Sequence, residues 1–355
     1  MVLPTLPLWA SLLTFCLCAG AIWVAGIFLS NYTDVLSDRL HLGAALGGLI
    51  LLAVATNLPE IAITISATMS GHLDVAVSNI LGGIAIQTVV LVALDAFGVR
   101  VPRPLTYQAA SLRLVLEGAV VAAVLAVVVM GTQLPRTATA FRLSPDVVAI
   151  AAVWVAGLVL TQRAAKLPWQ DNGNAPDSQP EPRGHSSRKR AAAATTTGIT
   201  TRKALGVFGG AAIVTLVAGA LLEESGVQAA DHFGLSGVLF GATVLAAATA
   251  LPELSTGLTA VRSGDYQLAF GDIFGGNAFL PVLLLLATVL GGKAVLPNAH
   301  NSDLYLTALG MLLTIIYMAG LVFRPARQHA RLGVDSIAVL GVYLLGVAGL
   351  AALPS

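Results

Sequence analysis

The sequence predicts an all-α polytopic membrane protein: ten transmembrane helices, arranged as two inverted-topology five-helix repeats in which helices 2 and 7 are broken. Three observations lead there. Of the 355 residues, 56% are hydrophobic and 10% charged, with mean hydropathy +0.84, whereas about a quarter of the residues of a soluble domain are charged. The apolar runs are continuous and about 20 residues long, the length that carries a helix across hydrocarbon, and they do not alternate as lipid-facing barrel strands do. Finally, Ala53 to Ala85, AVATNLPEIAITISATMSGHLDVAVSNILGGIA, returns 193 residues later as Ala246 to Ala278, AAATALPELSTGLTAVRSGDYQLAFGDIFGGNA, with fourteen of thirty-three positions identical.

Taken in order, the spans fall at 7–30, 42–70, 73–97, 112–130 and 146–162, then at 204–222, 235–261, 266–291, 303–323 and 335–353. The first has no Lys or Arg before it, outruns a signal-peptide core and lacks a clear cleavage site, so it reads as a retained helix. Its Cys16 and Cys18 point to different sides of a helix and serve as small apolar residues, not as a disulfide or metal pair. Pro59 and Pro252 lie inside the second and seventh spans and Pro281 inside the eighth. Each removes a backbone donor and bends or breaks its helix. The organisation is an N-terminal five-helix repeat (1–163, motif 53–87), a polar, Pro- and Ser-rich linker (164–203) and a C-terminal five-helix repeat (204–355, motif 246–280). The basic run Arg188-Lys189-Arg190 in the linker reads as a membrane-flanking cluster, with no nucleic-acid partner implied.

Lys and Arg placement sets the orientation. With the linker in the cytoplasm, sixteen of the nineteen basic residues fall on the inner side, and Arg136, Arg142 and Lys293 fall on the outer side. Both termini are then outside, and a cell or inner membrane is the expected location. Five helices separate the two copies of the repeat, so they enter the membrane in opposite directions. Inverted repeats with broken helices meeting near the midplane are the architecture of secondary transporters.

The chemistry of the repeat agrees. In Thr56-Asn57-Leu58-Pro59-Glu60 and Thr249-Ala250-Leu251-Pro252-Glu253 the proline frees carbonyls one turn back, and a carboxylate projects from the broken region. Carbonyl and carboxylate oxygens are the ligands of hard cations. Glu60 and Glu253 facing each other match the charge of one divalent ion. An intramembrane carboxylate costs at least about 2.5–3.5 kcal/mol, so a symmetric pair calls for a counter-charge. A single glutamate could be protonated packing glue; one repeated with its proline and threonine argues for a ligand. Asn79 and Asp272 match each other nineteen residues after the glutamates. Asp272 reads equally as cation ligand, proton carrier or packing partner. Gln87 is polar within a span where the second copy has Leu280. Gly82-Gly83 and Gly275-Gly276 read as close-approach positions. The acids of the turns at Asp74 and Asp265, and Glu223, Glu224, Asp95 and Glu117 at span ends, read as solvated. No HExxH, GxSxG or phosphate-loop pattern appears, which leaves hydrolase and nucleotide-driven functions unsupported.

Two halves, each with a T-x-L-P-E motif and a following G-[ND]-x-x-G-S-like segment, resemble the cation/Ca²⁺ antiporter superfamily, in particular its sodium/calcium exchangers. The resemblance covers nearly all of the chain except the linker. It implies alternating-access exchange of Ca²⁺ against Na⁺ or H⁺, with no cofactor, the inorganic cations as substrates and the bilayer as surroundings. It implies direct coordination by Glu60 and Glu253, carbonyl ligands from Thr56 and Thr249, and contributions from Asp272, Asn79, Gln87 and Asn57. The chain departs from the family pattern where serines are expected: Asn57 and Ala250 follow the threonines, and Gly83 and Gly276 end the second motif. Those departures remove oxygens expected of Na⁺ sites and favour H⁺ as counter-ion through Asp272. The alternatives are an H⁺/K⁺-coupled exchanger without Na⁺ dependence, a degenerate scaffold that transports nothing, and an intramembrane enzyme lacking any evident nucleophile.

Overall fold

A computed structural model describes residues 6–39, 54–135, 137, 141–164 and 200–352. The first half contains α1 (Leu8–Arg39), α2 (Leu58–Ser70), α3 (Leu73–Phe97), α4 (Leu112–Gly131) and α5 (Pro145–Ala164). The second contains α6 (Thr201–His232), α7 (Gly237–Thr249), α8 (Leu251–Arg262), α9 (Tyr266–Gly291), α10 (Asn301–Phe323) and α11 (Val334–Ala352). A two-residue hairpin, β1 (Gln328–His329) with β2 (Leu332–Gly333), precedes α11. Among the described residues eight helices are long and apolar enough to cross a membrane, nine if α7 and α8 count as one bent span. The expected second span, 42–70, is described only from residue 54, and the linker outside its two ends lies outside the described residues.

The breaks fall where proline dictates. The helical turn at 54–56 stops at Asn57 (φ −92°, ψ 15°) and α2 resumes with Pro59 in its first turn. In the second copy α7 stops at Ala250 (φ −78°, ψ 2°) and α8 resumes with Pro252, the two segments meeting at 42°. Proline is at home in the first turn, where its missing N–H would be unpaired anyway. A π-helical turn, Gly241–Leu245, lies one turn before the second break, a distortion common beside functional sites. Pro281 turns α9 into a 3₁₀ segment at Leu280–Val282 without ending it.

The main core is built by α3, α4, α9 and α10, with Phe270 edge-on to both Phe274 and Tyr317 at 5.6 Å. The two long helices α1 and α6 pack beside each other, and each closes over the broken helix of the opposite half. A Cβ on Gly26 of α1 would lie 2.8 Å from Pro252. A Cβ on Gly219 of α6 would lie 2.8 Å from Ala62 and 3.2 Å from the Pro59 carbonyl. Gly26 and Gly219 are themselves 193 positions apart, so the repeat extends to the helix ahead of each motif. Bare glycine is required at both because a backbone is in van der Waals contact there.

Several acids expected in solvent are buried instead. Glu223 and Glu224 lie within α6, which runs ten residues past the expected end. Glu223, fully buried, accepts from Ser66 Oγ at 2.9 Å and pairs with His72 Nδ1 at 3.0 Å. Asp95 is buried because the chain folds back over the end of α3. It accepts from the amides of Leu105 (2.8 Å) and Gly333 (2.7 Å) and from Ser336 Oγ (2.7 Å), joining the two halves. Asp265, also buried, caps α9 by accepting from Leu268 N at 3.1 Å. Glu117 is largely buried and pairs with Arg113 at 3.0 Å. Asp74 is exposed as expected.

Candidate functional site

The broken helices place the two motif glutamates at equivalent points. Glu60 stands in the first turn of α2 and Glu253 in the first turn of α8, where amides converge and the helix dipole favours an anion. Both are buried, at 0% and 1% exposure, and none of their four carboxylate oxygens has a hydrogen-bond partner. Buried polar atoms in native structures are otherwise nearly always paired. Four unpaired carboxylate oxygens buried together are costly unless protons or a cation balance them.

Groups from both copies surround them. The side chains of Thr249 and Gln87 lie beside the Glu60 carboxyl without closing a hydrogen bond to it. Glu60 and Asp272 both act electrostatically on Glu253, so the three carboxylates share one region. Gln87 and Asn57 meet at Gly276, where a Cβ would come within 3.2 Å of Gln87 Oε1 and 3.4 Å of Asn57 Nδ2. The equivalent Gly83 faces Leu280 at 3.4 Å, so the glycine pair of one copy receives the residue that follows the pair in the other. Thr56 is buried and its hydroxyl accepts from Asn57 Nδ2 at 3.5 Å. Thr249 donates its hydroxyl to the Ala246 carbonyl at 3.1 Å. Pro59 and Pro252 offer no N–H to the carbonyls of Ala55 and Ala248. Asp272 accepts from Thr256 Oγ1 at 3.0 Å, and the same hydroxyl lies 3.2 Å from the Glu253 carbonyl. Asn79 is fully buried with both amide atoms unpaired, on the face of α3 that packs against Gly241 of the π-turn.

The structure adds Asn277, one residue past the second glycine pair and not among the sequence candidates. It is fully buried, donates through Nδ2 to Thr88 Oγ1 at 3.1 Å, and leaves Oδ1 unpaired. The signal was present in the sequence: it is a buried amide that the second copy gains, where the first has Ile84. Among the described residues no three acidic, His or Cys side chains converge at metal-binding spacing. A cation between Glu60 and Glu253 would thus complete its shell with amide and carbonyl oxygens, ligands that hard cations accept.

Broken helices, a buried pair of glutamates contributed by the two copies of a repeat and a scaffold of membrane-length apolar helices define a polytopic helical membrane protein. The model of the sodium/calcium exchanger protein family matches residues 10–161 and 203–350, and the chain belongs to that family, within the cation/Ca²⁺ antiporter superfamily. It is 27% identical over 328 residues to the inner membrane protein YrbG of Escherichia coli (strain K12), covering 89% of this chain and 92% of YrbG. It is 25% identical to the putative antiporter CaxA of Alkalimonas amylolytica over 293 residues, 80% of this chain and 82% of CaxA. Its fold is similar to that of the H⁺/Ca²⁺ exchanger CAX (TM-score 0.65, 14% identity, covering 97% of this chain and 82% of that one). It is similar also to the sodium-calcium exchanger NCX_Mj (TM-score 0.57, 15% identity, 98% and 100%).

Proposed function

We propose that this chain is a secondary active antiporter that exchanges Ca²⁺ or a related divalent cation against a monovalent one by alternating access. The observation that carries this reading is the set of four buried, unpaired carboxylate oxygens of Glu60 and Glu253, contributed by the two copies of one repeat. Glu60 and Glu253 are the central ligands, with backbone carbonyls at Thr56 and Thr249 beside them and Asn57, Asn79, Gln87 and Asn277 supplying neutral oxygens. H⁺ is the favoured counter-ion. Glycine stands at 83 and 276 and alanine at 250, where hydroxyls would hold Na⁺, while Asp272 adds a third carboxylate beside Glu253. The names of YrbG, CaxA and CAX agree with an inner-membrane cation exchanger.

The same reading includes two inverted halves, 1–163 and 204–355, with the 164–203 linker in the cytoplasm and both termini outside. The matched contacts Gly26–Pro252 and Gly219–Pro59 support it, because each half closes the other's broken helix in the same way. The test is ⁴⁵Ca²⁺ uptake by proteoliposomes under imposed H⁺, Na⁺ or K⁺ gradients. Uptake driven by H⁺ and abolished in Glu253→Ala is expected. Uptake driven by Na⁺ and indifferent to pH would overturn H⁺ coupling, and no calcium binding in calorimetry would favour a scaffold that transports nothing.

A further inference from the structure

Outside the central pair, the structure holds a partly open cavity of about 70 Å³ between α4, α5 and α9. Its α9 side is formed by the partly exposed Gly271, Asp272 and Gly275 with the buried Phe274 and Ala278, while Phe270, Ile273, Gly276 and Asn277 of the same stretch are buried and lie outside its lining. Asp272 therefore lines this cavity and also accepts from Thr256, within electrostatic reach of Glu253. Asn79, its counterpart in the first copy, is fully buried. The cavity's polar end is formed by Arg113, Glu117, Thr161 and Gln162, and its walls are mostly apolar, including Trp154 and Leu158. Glu117 accepts from Arg113 Nε through Oε1 at 3.0 Å and leaves Oε2 buried and unpaired, turned toward Gly271, where a Cβ would lie 3.4 Å from it. Glu60 and Glu253, by contrast, are shut off by α1 and α6 on the other side of the motif helices.

We propose that this cavity is an aqueous access path by which the monovalent counter-cation, H⁺ carried on water or Na⁺, reaches Asp272, with the unpaired Oε2 of Glu117 as a ligand along the way. The path rests on the antiporter reading for its cargo but not for its existence. The Arg113 guanidinium balances the Glu117 charge, so Oε2 acts as a local ligand and not as a long-range attractor, and apolar walls let the path close by dewetting. Arg113 and Glu117 stand at the end that the basic-residue count assigns to the cytoplasm.

The test uses the full-length protein with Cys16→Ala and Cys18→Ala, reconstituted in liposomes and treated with a charged, membrane-impermeant methanethiosulfonate. Gly275→Cys, where a Cβ meets no atom within 4 Å, is expected to react from the side bearing Arg113 and Gln162 and to lose transport on modification. Ile273→Cys, 1% exposed on another face of the same helix, is expected to stay unmodified. Glu117→Gln is expected to raise the half-saturating counter-cation concentration about fivefold with maximal rate and Ca²⁺ affinity retained, and H⁺ and Na⁺ gradients identify which cation is affected. An unreactive Gly275→Cys in folded protein, equal reaction at Ile273→Cys, or an unchanged half-saturation in Glu117→Gln would overturn the path. Labelling of Gly275→Cys where the Cys16→Ala, Cys18→Ala parent and the wild type both move no cation would support the path and overturn the antiporter reading alone.

Discussion

The two copies of the repeat share a backbone plan and differ in what they bring to the centre. Each breaks one residue after its threonine, puts proline in the next first turn and aims a buried glutamate from it. Beyond that they diverge. The first copy supplies amides, Asn57, Asn79 and Gln87, and is sealed; the second has Ala250 and Leu280 at two of those points but contributes Asp272, Asn277 and the partly exposed face of α9. Symmetry thus builds the pair of glutamates, and asymmetry surrounds it with different side chains from each copy. The neutral oxygens of the first copy suit a divalent cation already matched in charge by two carboxylates. The extra carboxylate of the second suits a counter-cation that must be released.

The largest effect expected from breaking this scheme is at the shared element. Glu60→Ala or Glu253→Ala should each lower ⁴⁵Ca²⁺ flux by at least ~100-fold with an unchanged size-exclusion profile, and full flux in the double glutamine variant would remove both glutamates from the mechanism. Next comes the asymmetric carboxylate. Asp272→Asn, which makes the second copy like the first, should reduce H⁺-driven Ca²⁺ uptake about tenfold while Ca²⁺ binding by calorimetry persists. Making the first copy like the second, Gln87→Leu removes an amide beside Glu60 and should weaken Ca²⁺ binding about three- to tenfold, the worth of one hydrogen bond to a charged group. Gly276→Ser places a hydroxyl against Gln87 and Asn57 and should let Na⁺ compete with Ca²⁺ at severalfold lower concentration, read as Na⁺ inhibition of uptake. The smallest effect on transport is expected outside the repeat. Asp95→Asn leaves one of three donors poorly paired, costing about 1–3 kcal/mol, visible as a lower melting temperature with Ca²⁺ affinity retained.

Much of this was legible in the sequence because proline and glutamate are costly in hydrocarbon and were repeated together. Pro59 and Pro252 located both breaks, and the repeat drew attention to Glu60 and Glu253, each following a break, with Thr56 and Thr249 just before it. The sequence misled where it stood in for solvent. Glu223, Asp95 and Asp265 sit at or near apparent span ends, yet pairing with Ser66 and His72, with backbone amides of Leu105 and Gly333, and with Leu268 N takes them inside. Hydropathy registers how polar a residue is, not whether a distant segment returns to satisfy it. Asn277 was overlooked because it faces an isoleucine in the first copy, and identity between copies was the guide.

By itself, then, the sequence determined the apolar multi-span scaffold, the doubled motif and the two carboxylates, since each follows from local cost: charge in hydrocarbon, proline in a helix, length against membrane thickness. Only the tertiary structure decided which groups meet. That Gln87 reaches Gly276 while Leu280 takes the matching place at Gly83, and that Asp272 opens to a cavity while Asn79 is sealed, depends on how α3, α4, α5 and α9 pack. Close packing between distant helices is set by the shapes of all its partners at once, which no single stretch of sequence carries.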